Sequence, residues 1–214
     1  MTIAQSLIAF LAAAALLTIT PGVDTAMVLR AAAVEGRRPA AFAAIGIGMG
    51  CLVWGAAVAL GLGALLTASQ AAYTALKWIG AAYLVYLGVR LLWKPRERFV
   101  IDAGGAAAGG GALTSLRRGL FTNLLNPKVG VFYVTFLPQF TPVGVGVGVG
   151  VGGYSFLLAC IHVVLGLVWF AFLISATAPL RAFLARPKAV KTMDRLTGGV
   201  FIAFGAGLAL SRRA

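Results

Sequence analysis

Two short stretches of this chain hold side chains that could do chemistry inside an otherwise apolar sequence. The first is Thr20-Pro21-Gly22-Val23-Asp24-Thr25, where Asp24 is the one carboxylate placed within an apolar segment. Glu35, Glu97, Asp102 and Asp194 all lie among lysines and arginines between apolar runs. The second stretch is Asn123-Leu124-Leu125-Asn126-Pro127-Lys128, whose proline follows Pro21 by 106 residues. An ionisable group near the middle of a bilayer costs about 2.5–3.5 kcal/mol, so a buried carboxylate is read first as a functional group. Each proline removes a backbone donor and frees the carbonyl one turn back. An interrupted helix therefore offers loose carbonyls to an ammonium and exposed N–H groups to a carboxylate. A zwitterion needs both. The expected binding or proton-coupling residues are Thr20, Pro21, Gly22, Asp24 and Thr25 at one interruption, and Asn123, Asn126, Pro127 and Lys128 at the other. Asp24 and Lys128 carry opposite charges and are expected to pair.

These residues need a membrane around them. The chain has 214 residues, of which 61% are hydrophobic and 11% charged, and its mean hydropathy is +0.97. A soluble domain of this size could not cover its surface with so few charges, which leaves an all-α, polytopic membrane bundle. Six segments are long enough to span: about 3–29, 40–66, 72–92, 119–141, 153–178 and 193–211. The last is barely long enough, and the first two exceed what a span requires. The N-terminus lacks the basic residues of a cleaved signal peptide, so the first span is expected to be retained.

Of the 18 lysines and arginines, all but Lys77, Arg212 and Arg213 fall after spans one, three and five or at their ends. The bias places those connections in the cytoplasm and both termini outside. It also accounts for the net charge of +13 without a nucleic-acid partner. Residues 94–118, rich in glycine and alanine, read as a flexible cytoplasmic linker. That linker divides a single membrane domain into a first half (1–93) and a second half (119–214). With three spans each, the halves enter the membrane in opposite senses, as two inverted repeats with proline-broken first helices would. The valine–glycine run over 143–153 suits an external spacer or a frayed helix start.

Plainer roles stand beside these. Asp24 could N-cap the helix that restarts after Gly22. Lys128 could extend to the cytoplasmic headgroups, and the asparagines could serve only the backbone freed by Pro127. His162, the sole histidine, fits a proton relay or a hydrogen bond between helices. Cys51 and Cys160 read as packing residues with neither metal spacing nor a disulfide. The small-residue stripes Gly46/Gly50 and Gly199/Ala203/Gly207 suit packing within the chain or a homodimer.

Taken together, Thr20–Thr25, Gly36-Arg37-Arg38, Gly119 with Asn123–Lys128, and Phe136-Leu137-Pro138-Gln139-Phe140 resemble the lysine-exporter translocator family, in its homoserine/threonine-resistance (LysE/RhtB) branch. Leu76–Leu84 with Leu87-Gly88 also resembles that family's third span. Val23 departs from the family pattern, in which proline is frequent, and the valine–glycine tract is unlike typical members. The resemblance implies an inner-membrane exporter of amino acids or close derivatives, driven by the proton gradient, with no cofactor. The Thr-Pro-Gly-x-Asp motif maps onto Thr20, Pro21, Gly22 and Asp24, and Asn-Pro-Lys onto Asn126, Pro127 and Lys128. A cation or metal transporter of the same superfamily is the alternative. It is disfavoured because the spans hold no cluster of cysteine, histidine and carboxylate side chains. An enzyme is disfavoured because no nucleophile–base spacing occurs.

Overall fold

In a computed structural model, the described residues are 2–20, 22–68, 70–95, 111–142, 149–176 and 186–210. Pro21, most of the linker and residues 143–148 of the valine–glycine run lie outside them. The described residues form helices, with no strand among them. The helix α1 (Ile3–Ile19) opens on a capping box in which Thr2 and Gln5 bond each other's backbone N–H, satisfying donors that a helix start leaves open. After the interruption, α2 (Val23–Arg30) runs on as a π-helical turn over Ala31–Glu35. The two parts meet at 53°. Gly36, at φ 101°, then reverses the chain in a conformation that glycine alone adopts readily.

The longest helix, α3 (Arg37–Ala68), has 32 residues, about 48 Å at 1.5 Å per residue. It is followed by α4 (Gln70–Trp93). In the second half, α5 (Ala112–Leu124) gives way at Leu125-Asn126 to α6 (Pro127–Val131), which continues as a π-helical turn (Phe132–Phe136) and a 3-10 turn (Leu137–Phe140). The bundle is completed by α7 (Val149–Ser175) and α8 (Pro187–Leu210).

Among the described residues, Arg37–Gly61 and Gly150–Ser175 are each long and apolar enough to cross a membrane, and α1 with α2 and its π-turn qualifies as one bent span. Helix boundaries differ from the expected spans in three places. Residues 112–118, expected in the linker, are helical, because Ser115 buries its side chain and Arg118 meets Glu35 across the bundle. The helix α7 begins at Val149, inside the valine–glycine run. The last helix starts at Pro187 rather than 193, so it is longer than its uncharged core.

Glycines set how closely the helices approach. The helix α3 lies against α5 and α7, while α4 lies against α8. A Cβ added at Gly46 would run into the carbonyl of Leu116, and one at Gly119 into the carbonyl of Ala43. With Gly50 against Asn123, these contacts make α3 and α5 parallel. Gly48 meets Val163 and Gly55 meets Ala159, so α3 and α7 are antiparallel. Gly88 lies backbone to backbone with Gly198, and Gly205 with Ala81 and Val85, which makes α4 and α8 antiparallel as well. Gly46 and Gly50 thus serve packing within the chain, whereas Gly199, Ala203 and Gly207 are exposed on the outer face of α8.

The main core gathers Phe10 of α1 with Phe132, Phe136 and Phe140 after α6. Phe10 meets Phe140 edge-on at 5.4 Å, and Phe132 stacks on Phe136 at 5.1 Å. Ser6 closes this end of the bundle by donating to the Phe140 carbonyl and bonding the Tyr154 hydroxyl at 2.8 Å. At the opposite end, Glu35 accepts from Arg118 at 3.1 Å and from Ser115 at 3.3 Å. This joins the π-helical turn that precedes Arg37 and Arg38 to the helix that carries Arg117.

Candidate functional site

The two interruptions face each other and are tied by hydrogen bonds. Residue 21 is a proline and has no N–H for the carbonyl of Leu17, four residues earlier. The Lys128 ammonium answers that carbonyl at 3.1 Å and the carbonyl of Thr20 also at 3.1 Å. Lys128 therefore turns into the bundle, and the alternative in which it extends to the headgroups is not what the fold adopts. Gly22 is close to it: a Cβ there would stand 3.6 Å from the lysine Nζ. Pro127 likewise leaves the carbonyl of Asn123 without its usual donor, and the N–H of Asn126 fills the gap at 3.0 Å.

The asparagines do more than repair backbone. Asn126 N-caps α6, its Oδ1 accepting from the Lys128 N–H at 3.1 Å, with Pro127 in the first position, where its missing donor costs nothing. Its Nδ2 donates to Oδ1 of Asp24 at 3.1 Å. Asn123, fully buried, donates from Nδ2 to Oδ2 of the same carboxylate at 2.8 Å. Both oxygens of Asp24 thus accept from the other half of the chain. Asp24 lies in the first turn of α2, where a carboxylate complements the helix dipole. The N-cap is Gly22, without a side-chain bond, so the reading of Asp24 as a cap is corrected.

Asp24, Thr20, Gly22, Thr25, Asn126 and Lys128 share one cavity. Its volume is about 60 Å³, several times the ~10–15 Å³ that one water requires. Asn123 stands just behind the carboxylate, and the side chains of Pro21 and Pro127 lie outside the described residues. His162 of α7 also lines the cavity, with Nδ1 3.0 Å from the hydroxyl of Tyr133. It therefore both joins two helices and faces the site.

Several residues at the site were not legible in the sequence. Cys51, read as packing, lines the cavity and lies 3.4 Å from the Asn123 amide. Thr18 lines the same space, and its hydroxyl is buried without a partner among the described residues. Thr197 of α8 bonds the hydroxyl of Thr20, which also donates to the Leu16 carbonyl at 2.6 Å. Asp194, expected among exposed basic residues, is completely buried one turn before Thr197. It occupies a helix that begins earlier than its charge pattern suggests. The interruption motifs and the lone His162 were visible as local signals.

The chain is 30% identical to the membrane protein YrhP of Bacillus subtilis over 97% of this chain and 100% of that one. It is 29% identical to a homoserine/homoserine lactone efflux protein of Salmonella typhi, covering 96% of this chain and 97% of that protein. It is 32% identical to a leucine efflux protein of Enterobacter sp. (strain 638), covering 90% of each. No solved structure matches. The family model described as LysE type translocator matches residues 15–212, a stretch that takes in both interruptions and the cavity between them, and the chain belongs to that family.

Proposed function

We propose that this protein exports amino acids or close derivatives from the cytoplasm, by proton-coupled alternating access across the inner (plasma) membrane. The observation that carries the reading is the Asp24 carboxylate, held by Asn123 and Asn126 inside a cavity that also receives the Lys128 ammonium. A zwitterion offers an ammonium to the carboxylate and a carboxylate to the lysine. Relatives named for the efflux of leucine and of homoserine and its lactone support the substrate class and the direction.

The same bonds support the reading of proton coupling. With Asp24 charged, both of its oxygens accept amide donors and its charge attracts the substrate ammonium. A proton arriving from outside removes that charge and makes one oxygen a donor facing an asparagine N–H. The site loosens and the substrate leaves.

Alternating access is supported by the asymmetry of the two ends. The cavity is lined by Ala44 to Cys51 of α3 and by His162 to Phe170 of α7, from the middle of each helix toward the end where Glu35 and Arg118 meet. On the other side, the packed rings of Phe10, Phe132, Phe136 and Phe140 and the Ser6 seal stand between the site and the opposite end. The positive-inside rule makes the first end cytoplasmic. The antiparallel pairs α3/α7 and α4/α8, and the two proline interruptions, support six spans built as an inverted repeat. In this reading, rocking of one half against the other opens the Ser6 seal.

The test is efflux of a panel of amino acids from cells with and without the protein, repeated with the Asp24→Asn variant. Faster efflux that requires both the protein and the carboxylate supports the function. Equal efflux from both cell types removes it.

A further inference from the structure

The wall of the cavity away from Asp24 is apolar, and its shape depends on one glycine. On α7 the lining residues His162, Val163, Gly166, Leu167 and Phe170 recur at helical spacing, so Gly166 lies at the middle of the stripe facing the cavity. A Cβ at Gly166 would meet nothing within 4 Å. The facing glycine of α3, Gly48, differs: a Cβ there would come within 3.2 Å of Val163. At Gly48 a side chain would press on Val163, which would have to shift. At Gly166 the omitted side chain leaves open space in the cavity itself.

Beyond these glycines the wall is formed by Ala44, Ile47, Val163, Leu167 and Phe170. Among the described lining residues, Asp24 is the only carboxylate, and its oxygens already accept from the two asparagines. A second positive charge carried on a substrate side chain would face aliphatic and aromatic surface without a counter-charge, and burying an unpaired charge is strongly unfavourable. A short or branched aliphatic side chain fits that surface.

We infer that the cavity takes amino acids with uncharged, apolar side chains, and that the open space at Gly166 sets the largest side chain admitted. The inference rests on the proposed export function and specifies the substrate class of the same site. Selection is steric at the apolar wall and electrostatic at Asp24 and Lys128.

The test uses the full chain in proteoliposomes, with counterflow of radiolabelled alanine, leucine and lysine. The wild type should carry alanine and leucine, with lysine at least about tenfold slower. Gly166→Leu should lower leucine counterflow about tenfold or more beyond any loss of alanine counterflow, and Gly166→Ala should fall between. Elution and thermal unfolding in detergent like those of the wild type show that the variants are folded. Lysine carried as fast as leucine overturns the inference, as does an equal loss of alanine and leucine in both variants. A wild type that carries no amino acid overturns the export reading itself, which is a separate result.

Discussion

Asn123 and Asp24 lie 99 positions apart, yet the asparagine Nδ2 stands 2.8 Å from the aspartate Oδ2. This bond joins α5 in the second half of the chain to α2 in the first, directly beneath the cavity. Hydrogen bonds to a charged group contribute about 1.5–3 kcal/mol. Asn123→Ala should therefore lower transport about tenfold or more, with a smaller effect on the amount of protein inserted. Initial efflux rates normalised to membrane-inserted protein check this. Unchanged rates would mean that the bond only fastens the two halves together.

Lys128 and Asp24 provide a second prediction. Both line the cavity, and Lys128 also satisfies the Leu17 and Thr20 carbonyls. Lys128→Met should lower thermal stability by about 1–3 kcal/mol, because it leaves buried acceptors without a donor. In transport, Asp24→Asn and Lys128→Met should each cause a large loss, and the double variant should lose less than the sum. Additive losses in that double-mutant cycle would remove the proposed charge pair.

A third prediction concerns the close packing of α3 against α5. Gly119 faces the backbone of Ala43, and any Cβ there strikes a carbonyl rather than a movable side chain. Gly119→Val should destabilise the bundle by about 1–3 kcal/mol or more through forced separation of α3 and α5. The same change at Gly199, where a Cβ meets nothing within 4 Å, should be close to neutral. Thermal unfolding in detergent distinguishes the two.

The pair Glu35–Arg118 gives a fourth. Its side chains are 9% and 30% exposed, and the N···O distance is 3.1 Å. A pair this close to water contributes at most about 1 kcal/mol. Removing either side chain should therefore change stability little. Reversing one charge alone should slow export more than the double reversal Glu35→Arg with Arg118→Glu, if this contact helps hold its end of the bundle in position. Equal rates in all three variants would assign the pair no part in transport.

Much of the site was legible because a proline acts through covalent structure. It lacks an N–H in every fold, so the sequence already states that the carbonyls of Leu17 and Asn123 need other donors. Asp24 and Lys128 could likewise be singled out by the cost of placing charge among apolar residues. Helix ends were less legible. Residues 112–118 have the composition of a linker until Ser115 and Arg118 find Glu35 on another helix. Asp194 looks exposed because its sequence neighbours are basic, yet the face of α8 on which it sits is buried.

What the sequence determined by itself was therefore local and compositional. It specified a helical membrane bundle, two proline interruptions, a basic bias toward one side, and one carboxylate that could not be indifferent to its surroundings. Only the tertiary structure decided which groups answer one another: Lys128 for the Leu17 carbonyl, Asn123 and Asn126 for Asp24, Thr197 for Thr20, and Tyr133 for His162. Periodicity and composition are read over a few turns of helix. These contacts cross tens to well over a hundred positions, and they arise from how closely glycine-lined helices pack.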